Sequence, residues 1–119
     1  MADNYQNEMY LALLDSLGPT QSLILIDKLM IDVKNARRGL QAAQSAKAID
    51  LLNEPSHVLI SLAGVVGVEE LLSLVKNINN YKALKEGDFP DDNVKMIVNQ
   101  LDRWLEFLKS DKTQRGQAV

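Results

Sequence analysis

The chain has 119 residues, of which 46% are hydrophobic and 24% charged, a composition typical of a globular protein and not of a disordered one. Its formal net charge of −3 gives no electrostatic reason to bind nucleic acid, because phosphate binding needs clustered positive charge. The chain contains no cysteine, which excludes disulfides, thiolate metal sites and cysteine nucleophiles.

The N-terminal residues and the apolar stretches predict a soluble, cytoplasmic protein. The sequence starting at Met1 lacks the basic and then apolar order of a signal peptide. The longest apolar stretches, at residues 23–26 and 58–68, are much shorter than the roughly 20 residues that a bilayer span needs. We therefore expect no membrane association, and the lack of cysteine fits a reducing compartment.

Apolar residues recur at helical spacing along almost the whole chain, and no stretch alternates with the period of two that a half-buried strand needs. A short first helix is predicted over residues 5–17, ended by Gly18 and Pro19, and a long second helix runs to about residue 43. A third helix, capped by Ser45, is predicted to reach residue 66. Pro55 should kink this helix or separate its first turns from the rest.

Gly67 separates the third helix from a fourth, whose apolar stripe begins at Val68. The loop at residues 86–90 ends the fourth helix, and Asp91 or Asp92 is predicted to cap the last one. Residues after 109 are polar and carry no core positions. The sequence therefore predicts one domain over residues 1–119, with a core at about 5–109 and a flexible tail at 110–119.

These elements predict an all-α fold. Four helices with single apolar stripes and short connections can bury those stripes as an antiparallel four-helix bundle. The short N-terminal helix would then cap one end of the bundle.

The third helix carries the single histidine of the chain on its polar side. At about 100° per residue, apolar and polar residues separate onto opposite sides of this helix. The predicted core side comprises Leu51, Leu52, Pro55, Val58, Leu59, Leu62, Ala63 and Val66. The polar side comprises Asp50, Asn53, Glu54, His57, Ser61 and Gly64, with Ile60 at its edge. Because Ser61 and Gly64 are small, they leave the imidazole free for another protein to approach.

Residues 56–67 resemble the phosphoacceptor helix of the histidine-containing phosphotransfer (HPt) domains of bacterial phosphorelays, and the helical plan over residues 5–109 fits that family too. The family pattern reads His-x-Leu-Lys-Gly-Ser-Ala/Ser-x-x-Leu/Val-Gly. The matching residues are His57, Leu59, Ala63, Val66 and Gly67. Ser61 stands where a glycine is usual, and Ile60 stands where the family has a lysine that places positive charge beside the phosphoryl group. Lys47 or a lysine from a neighbouring helix is then the candidate source of that charge.

The resemblance implies a phosphoryl relay and not an independent catalyst. A neutral imidazole nitrogen of His57 would accept a phosphoryl group from an aspartyl phosphate of a response-regulator receiver domain, or from a hybrid histidine kinase, and later return it to another aspartate. The receiver would bring Mg²⁺ and the acidic pocket, so the resemblance implies no cofactor or metal on this chain. Ser61 would donate a hydrogen bond to the phosphoryl oxygens, and Gly64, Ile60 and Glu54 would border the docking surface of a monomer.

The same residues fit other kinds of protein less well or equally well. Ile60, an apolar side chain where charge is expected, favours a divergent bundle that acts as a protein-interaction module without phosphotransfer. Glu54 and His57 match the Glu-x-x-His spacing of di-iron bundles, but such sites need two of these motifs and two more glutamates, and zinc fails on the same ligand count. Glu54, His57 and Ser61 could mimic a nucleophilic triad, but a helix surface supplies neither an oxyanion hole nor a pocket.

Overall fold

The structure is a computed structural model that describes residues 5–84 and 89–118, and this part of the chain is helical with no strand. Four α-helices pack together, and they are α1 (Glu8–Ala46), α2 (Asn53–Val66), α3 (Glu69–Leu84) and α4 (Asp91–Ala118). A short 3-10 helix, Ile49–Leu52, leads from α1 into α2. The all-α prediction is confirmed, while the predicted loop at residues 86–88 lies outside the described residues.

Helix α1 consists of two arms that meet at a kink. Gly18 has φ 83° and ψ 171°, a region that only glycine enters without strain, and Pro19 begins the second arm, where its fixed φ suits a helix start. The predicted short first helix is therefore present as residues 8–17, which we call the cap arm. Residues 19–46 form the long arm.

Asn7 ties the cap arm to the end of α2. Its side-chain oxygen accepts a hydrogen bond from the backbone amide of Tyr10 and so caps the first turn of α1. Its side-chain amide donates to the backbone carbonyls of Val66 at 2.9 Å and Gly67 at 3.2 Å. Gly67 itself ends α2 in the left-handed conformation, with φ 73°.

The start of α2 differs from the prediction. Ser45 lies within the last turn of α1 and caps no helix, since α1 ends with Lys47 in the left-handed conformation at φ 52°. Helix α2 begins only at Asn53, so Pro55 lies in its first turn, where the missing amide hydrogen has no helical partner to lose. The turns before Pro55 form the separate 3-10 helix, which is one of the two outcomes that this proline predicts.

The core lies where the apolar stripes of the four helices meet, as their spacing predicts. Trp104 of α4 is the largest fully buried side chain of the described residues, and its ring stacks on that of Tyr5 with 6.3 Å between ring centroids. The Tyr5 hydroxyl donates a hydrogen bond to the backbone carbonyl of Gln100. Other fully buried side chains of the core are Leu14, Ile26, Leu40, Leu52, Leu59, Leu71, Ile78, Ile97, Leu101 and Leu108.

Ion pairs join α4 to the long arm of α1 and to Lys47, the residue that ends it. They are Lys47–Asp91 at 2.5 Å, Arg37–Asp102 at 2.6 Å and Asp27–Lys112 at 2.6 Å. Because the residue numbers fall along α1 while they rise along α4, the two helices run in opposite directions. Each carboxylate in these pairs is about half exposed, so solvent screening keeps the contribution of each pair to stability small.

Helix α4 carries the packed structure beyond the predicted boundary at residue 109. The helix continues to Ala118, and Asp111, which falls in the predicted flexible tail, is only 8% exposed. Its carboxylate accepts a hydrogen bond from the Tyr10 hydroxyl at 2.6 Å and another from Arg115 at 2.7 Å. The sequence predicts a flexible tail here because apolar residues at core spacing are lacking. The side chain that anchors this turn is instead an acid, Asp111, which is hydrogen-bonded to Tyr10 of the cap arm.

Tyr10→Phe is expected to lower the free energy of unfolding by about 1–2 kcal/mol, because Asp111 stays buried and loses a donor. Burial, together with the hydrogen bond to Asp111, raises the pKa of Tyr10. The folded state therefore holds the phenolic proton more tightly than the unfolded state, and this stabilisation is lost as the pH rises above about 10. Urea unfolding at pH 7 and pH 11 should show the difference between the two proteins shrinking at the higher pH. An equal difference in the free energy of unfolding at pH 7 and at pH 11 would contradict this account.

Helix α1 is long and apolar enough to cross a membrane by length and composition alone. An 18-residue window in α1 has a mean hydropathy of 1.3. The uninterrupted apolar stretches of the sequence do not reveal this window, because polar residues interrupt it. A core helix that buries one face meets the same criterion, and α1 buries residues from Tyr10 to Ala43 along one face. The expectation of no membrane association stays a prediction.

Candidate functional site

Helix α2 presents His57, Ser61 and Gly64 to solvent along one face. A Cβ atom added to Gly64 would meet no heavy atom within 4 Å, so the space above this turn is open. His57 takes part in none of the hydrogen bonds or ion pairs of the described residues. The imidazole therefore stands where helical periodicity predicts, open to a macromolecule that approaches α2 from outside.

The opposite side of α2 is fixed by packing. Leu59, Ala63 and Val66 are buried in the core at no more than 1% exposure. At the start of the helix the long arm of α1 comes very close, because a Cβ added to Gly39 would lie 3.3 Å from the Cβ and Cγ of Pro55. His57 follows Pro55 by two residues, so its backbone lies close to a tight contact between α1 and α2.

Gly39→Leu is expected to lower the free energy of unfolding by about 1–3 kcal/mol, because the added side chain must push α2 away from α1. Gly64→Leu is the matched control, since it makes the same change on an open helix surface and should gain up to about 1 kcal/mol from helix propensity. Urea unfolding of the two variants measures the difference. Equal stabilities would show that the contact at Gly39 does not constrain α2.

Ile60 and Glu54 flank His57 at three residues on either side. Ile60 is half-buried and packs against the core, so this position offers methyl groups and no charge. Glu54 is exposed and lines, together with Asp32 and Asn35 of α1, a cleft of about 240 Å³ beside α2. Asp32 is paired with Lys28 at 3.6 Å, so Glu54 is the carboxylate of this cleft that has no ion pair among the described residues.

Lys47 is engaged with the start of α4. Its ammonium lies 2.5 Å from the carboxylate of Asp91 and 5.6 Å from the centroid of the Phe89 ring. The hydrogen bond from Lys47 holds the pKa of Asp91 below its usual value. Asp91 and Asp92 lie inside the first turn of α4 and not before it, so neither stands at the capping position that the sequence predicts, and the Asp91 side chain instead accepts from Gln44 and Lys47.

Two apolar residues near the site are exposed, and the sequence predicts a core position for Leu51 but assigns Val65 to neither side of the helix. Leu51 is 50% exposed, because it belongs to the 3-10 helix and the rotation of 100° per residue assumed for α2 does not apply to it. Val65 is 59% exposed, and its spacing of four residues from Ser61 was the signal that could have assigned it to the same face. Ser56, next to His57, is buried at 1% exposure, and its hydroxyl has no hydrogen-bond partner within the described ranges.

Comparisons of the chain with protein-family models, with curated proteins and with solved structures found no match in any of the three. Within residues 5–84 and 89–118, no three or more His, Asp or Glu side chains cluster in a way that could hold a metal ion. The exposed face of α2 is therefore the feature from which a function can be inferred.

Proposed function

We propose that the protein is a histidine phosphotransfer protein of a two-component phosphorelay, with His57 as the phosphoacceptor. The supporting observation is that the imidazole is exposed, has no partner among the described residues, and lies beside two small residues on a helix whose other side is packed. The scaffold would be an antiparallel four-helix bundle with the cap arm across one end. The opposite directions of α1 and α4 support that arrangement.

The chemistry that this face can perform is nucleophilic attack on phosphorus. A neutral ring nitrogen of His57 forms a bond to the phosphorus of an aspartyl phosphate while the bond from phosphorus to the aspartate oxygen breaks, which regenerates the carboxylate. Return of the phosphoryl group to another aspartate reverses these bond changes. Ser61, exposed and one turn from His57, donates a hydrogen bond to a phosphoryl oxygen during transfer.

The partner of this chemistry is a response-regulator receiver domain, with a hybrid histidine kinase as a further phosphoryl donor. The receiver supplies the aspartate, the acidic pocket and Mg²⁺, while this chain supplies position only. We propose a cytoplasmic monomer that binds neither nucleic acid nor membrane. The exposed side chain of Val65, two turns from His57 on the same helix, offers apolar area at the rim for such a partner.

Phosphotransfer is tested with receiver domains from the same organism, each labelled with acetyl phosphate and mixed with this protein. We expect an acid-labile label on this protein that mass spectrometry maps to His57, the single histidine of the chain. An HPt protein of known activity, mixed with the same labelled receivers, serves as the control. Label on the control and none on this protein with any receiver would overturn the proposal.

A second candidate function is a protein-interaction module that has the bundle without the phosphotransfer. The observation that favours it is Ile60, which places half-buried methyl groups one turn from His57. Under this alternative, His57→Ala leaves partner binding and signalling unchanged. Loss of signalling in a His57→Ala variant that remains folded would exclude the interaction module.

A further inference from the structure

We infer that Lys76 of α3 supplies the positive charge that the phosphoryl group on His57 needs and that Ile60 does not provide. The inference rests on the proposed function, and it assigns a second side chain to the same site. Helix α2 has no lysine or arginine of its own, so the charge has to come from another helix.

The faces of α3 place Lys76 on the flank next to α2. Leu71, Val75 and Ile78 are buried and mark the core side of α3. Glu70 lies about 110° to one side of that direction and accepts a hydrogen bond from Gln100 of α4, so this flank of α3 faces α4. Lys76 lies about 130° to the other side. Because α3 packs between α4 and α2, the Lys76 flank is the one nearer α2.

The heights of the two residues along the paired helices also agree. Helices α2 and α3 are joined only by Gly67 and Val68, and the Val68 amide donates back to the Ala63 carbonyl at 2.9 Å. At about 1.5 Å per residue, His57 lies about 14 Å from the end of α2 and Lys76 lies about 10 Å from the start of α3. The two heights differ by about 4 Å, and the flexible four-carbon stem of a lysine can cover this difference.

Lys76 is free to take this role. It is exposed, and it enters no ion pair or hydrogen bond among the described residues. The residues three and four positions away on α3 include no acid that could neutralise it within the helix. On the α1 side of His57, the exposed carboxylate of Glu54 enters no ion pair among the described residues and would repel a phosphoryl group. A phosphoryl group on His57 is therefore drawn toward α3, where the ammonium of Lys76 can donate charge-assisted hydrogen bonds to its oxygens.

Phosphoramidate tests this role without any receiver domain. A ring nitrogen of His57 bonds to phosphorus as the phosphorus–nitrogen bond of phosphoramidate breaks and ammonia leaves. Because His57 is the single histidine, all phosphohistidine detected by ³¹P NMR belongs to it. We expect Lys76→Gln to slow its formation by about three- to tenfold, because an anionic donor and the developing phosphoryl group lose their cation. Lys109→Gln, which removes an exposed charge from α4, is the matched control and should react at the wild-type rate.

Two further variants separate charge from structure. Lys76→Arg should react within about twofold of the wild-type rate, and Ile60→Lys added to Lys76→Gln should restore the rate by placing a cation one turn from His57. A Lys76→Gln variant that is folded by circular dichroism and reacts at the wild-type rate would overturn the inference, as would a double variant as slow as Lys76→Gln. Normal labelling by phosphoramidate without any transfer from receivers would instead overturn the proposed function.

Discussion

Trp104→Ala is expected to lower the free energy of unfolding by about 3–5 kcal/mol. The Trp104 side chain is 1% exposed, and its removal leaves a cavity between α4 and the N-terminal segment that the surrounding helices can fill only in part. The stacked ring of Tyr5 would lose its neighbour at the same time. Urea denaturation followed by circular dichroism measures the loss, because tryptophan fluorescence disappears with the substitution.

Met96→Ala is the control for this prediction, since Met96 belongs to the same helix and is 51% exposed. Its effect should stay within about 0.5 kcal/mol. A domain of this size has only about 5–15 kcal/mol of stability in total, so the more conservative Trp104→Phe provides a second measurement if the alanine variant unfolds. A loss below about 1 kcal/mol in Trp104→Ala would show that this side chain does not anchor the core.

His57→Gln is expected to abolish phosphoryl acceptance from labelled receivers, because an amide nitrogen has no lone pair available to attack phosphorus. The free energy of unfolding should change by no more than about 0.5 kcal/mol, since the ring is exposed and contributes no hydrogen bond within the described residues. Label transfer and urea unfolding, measured on the same preparation, check both expectations.

Ser61→Ala tests whether the hydroxyl next to His57 assists the transfer without being the acceptor. The chain keeps the imidazole and loses a hydroxyl, so transfer should slow by about tenfold or less and should not cease. Label that persists on His57→Gln would place the acceptor on another residue, and a Ser61→Ala variant as inactive as His57→Gln would show that the hydroxyl takes part in the reaction itself.

Periodicity predicted most of the fold because burial of one face is what makes these segments helical. The stripe of Ile26, Val33 and Leu40 is buried as its spacing requires, and the break at Gly18 and Pro19 falls where the sequence places it. The polar face that carries His57 followed from the same rotation of about 100° per residue. In each case the evidence lies within a few turns of one helix, which a single sequence contains.

The features that the sequence did not predict depend on contacts between segments far apart in the chain. The last turns of α4 are held by Asp111, whose acidic side chain predicts an exposed position in the sequence. In the structure it is buried because the hydroxyl of Tyr10, 101 residues away, donates a hydrogen bond to it. The flank of α3 that meets α2 also follows only from the packing of the helices, since nothing in the sequence states it. The prediction that Ser45 caps a helix was wrong for a local reason. Serine is also found in the last turn of a helix, and α1 ends two residues later at Lys47 in the left-handed conformation.

The double use of Asn7 couples the motion of two helix ends. One amide group holds both the opening turn of the cap arm and the last carbonyls of α2, so a fluctuation that breaks these bonds releases both ends together. Hydrogen exchange of backbone amides near residues 8–11 and 66–69 would then proceed by a shared opening event. Detachment of the cap arm would thereby loosen the far end of the very helix that carries the imidazole.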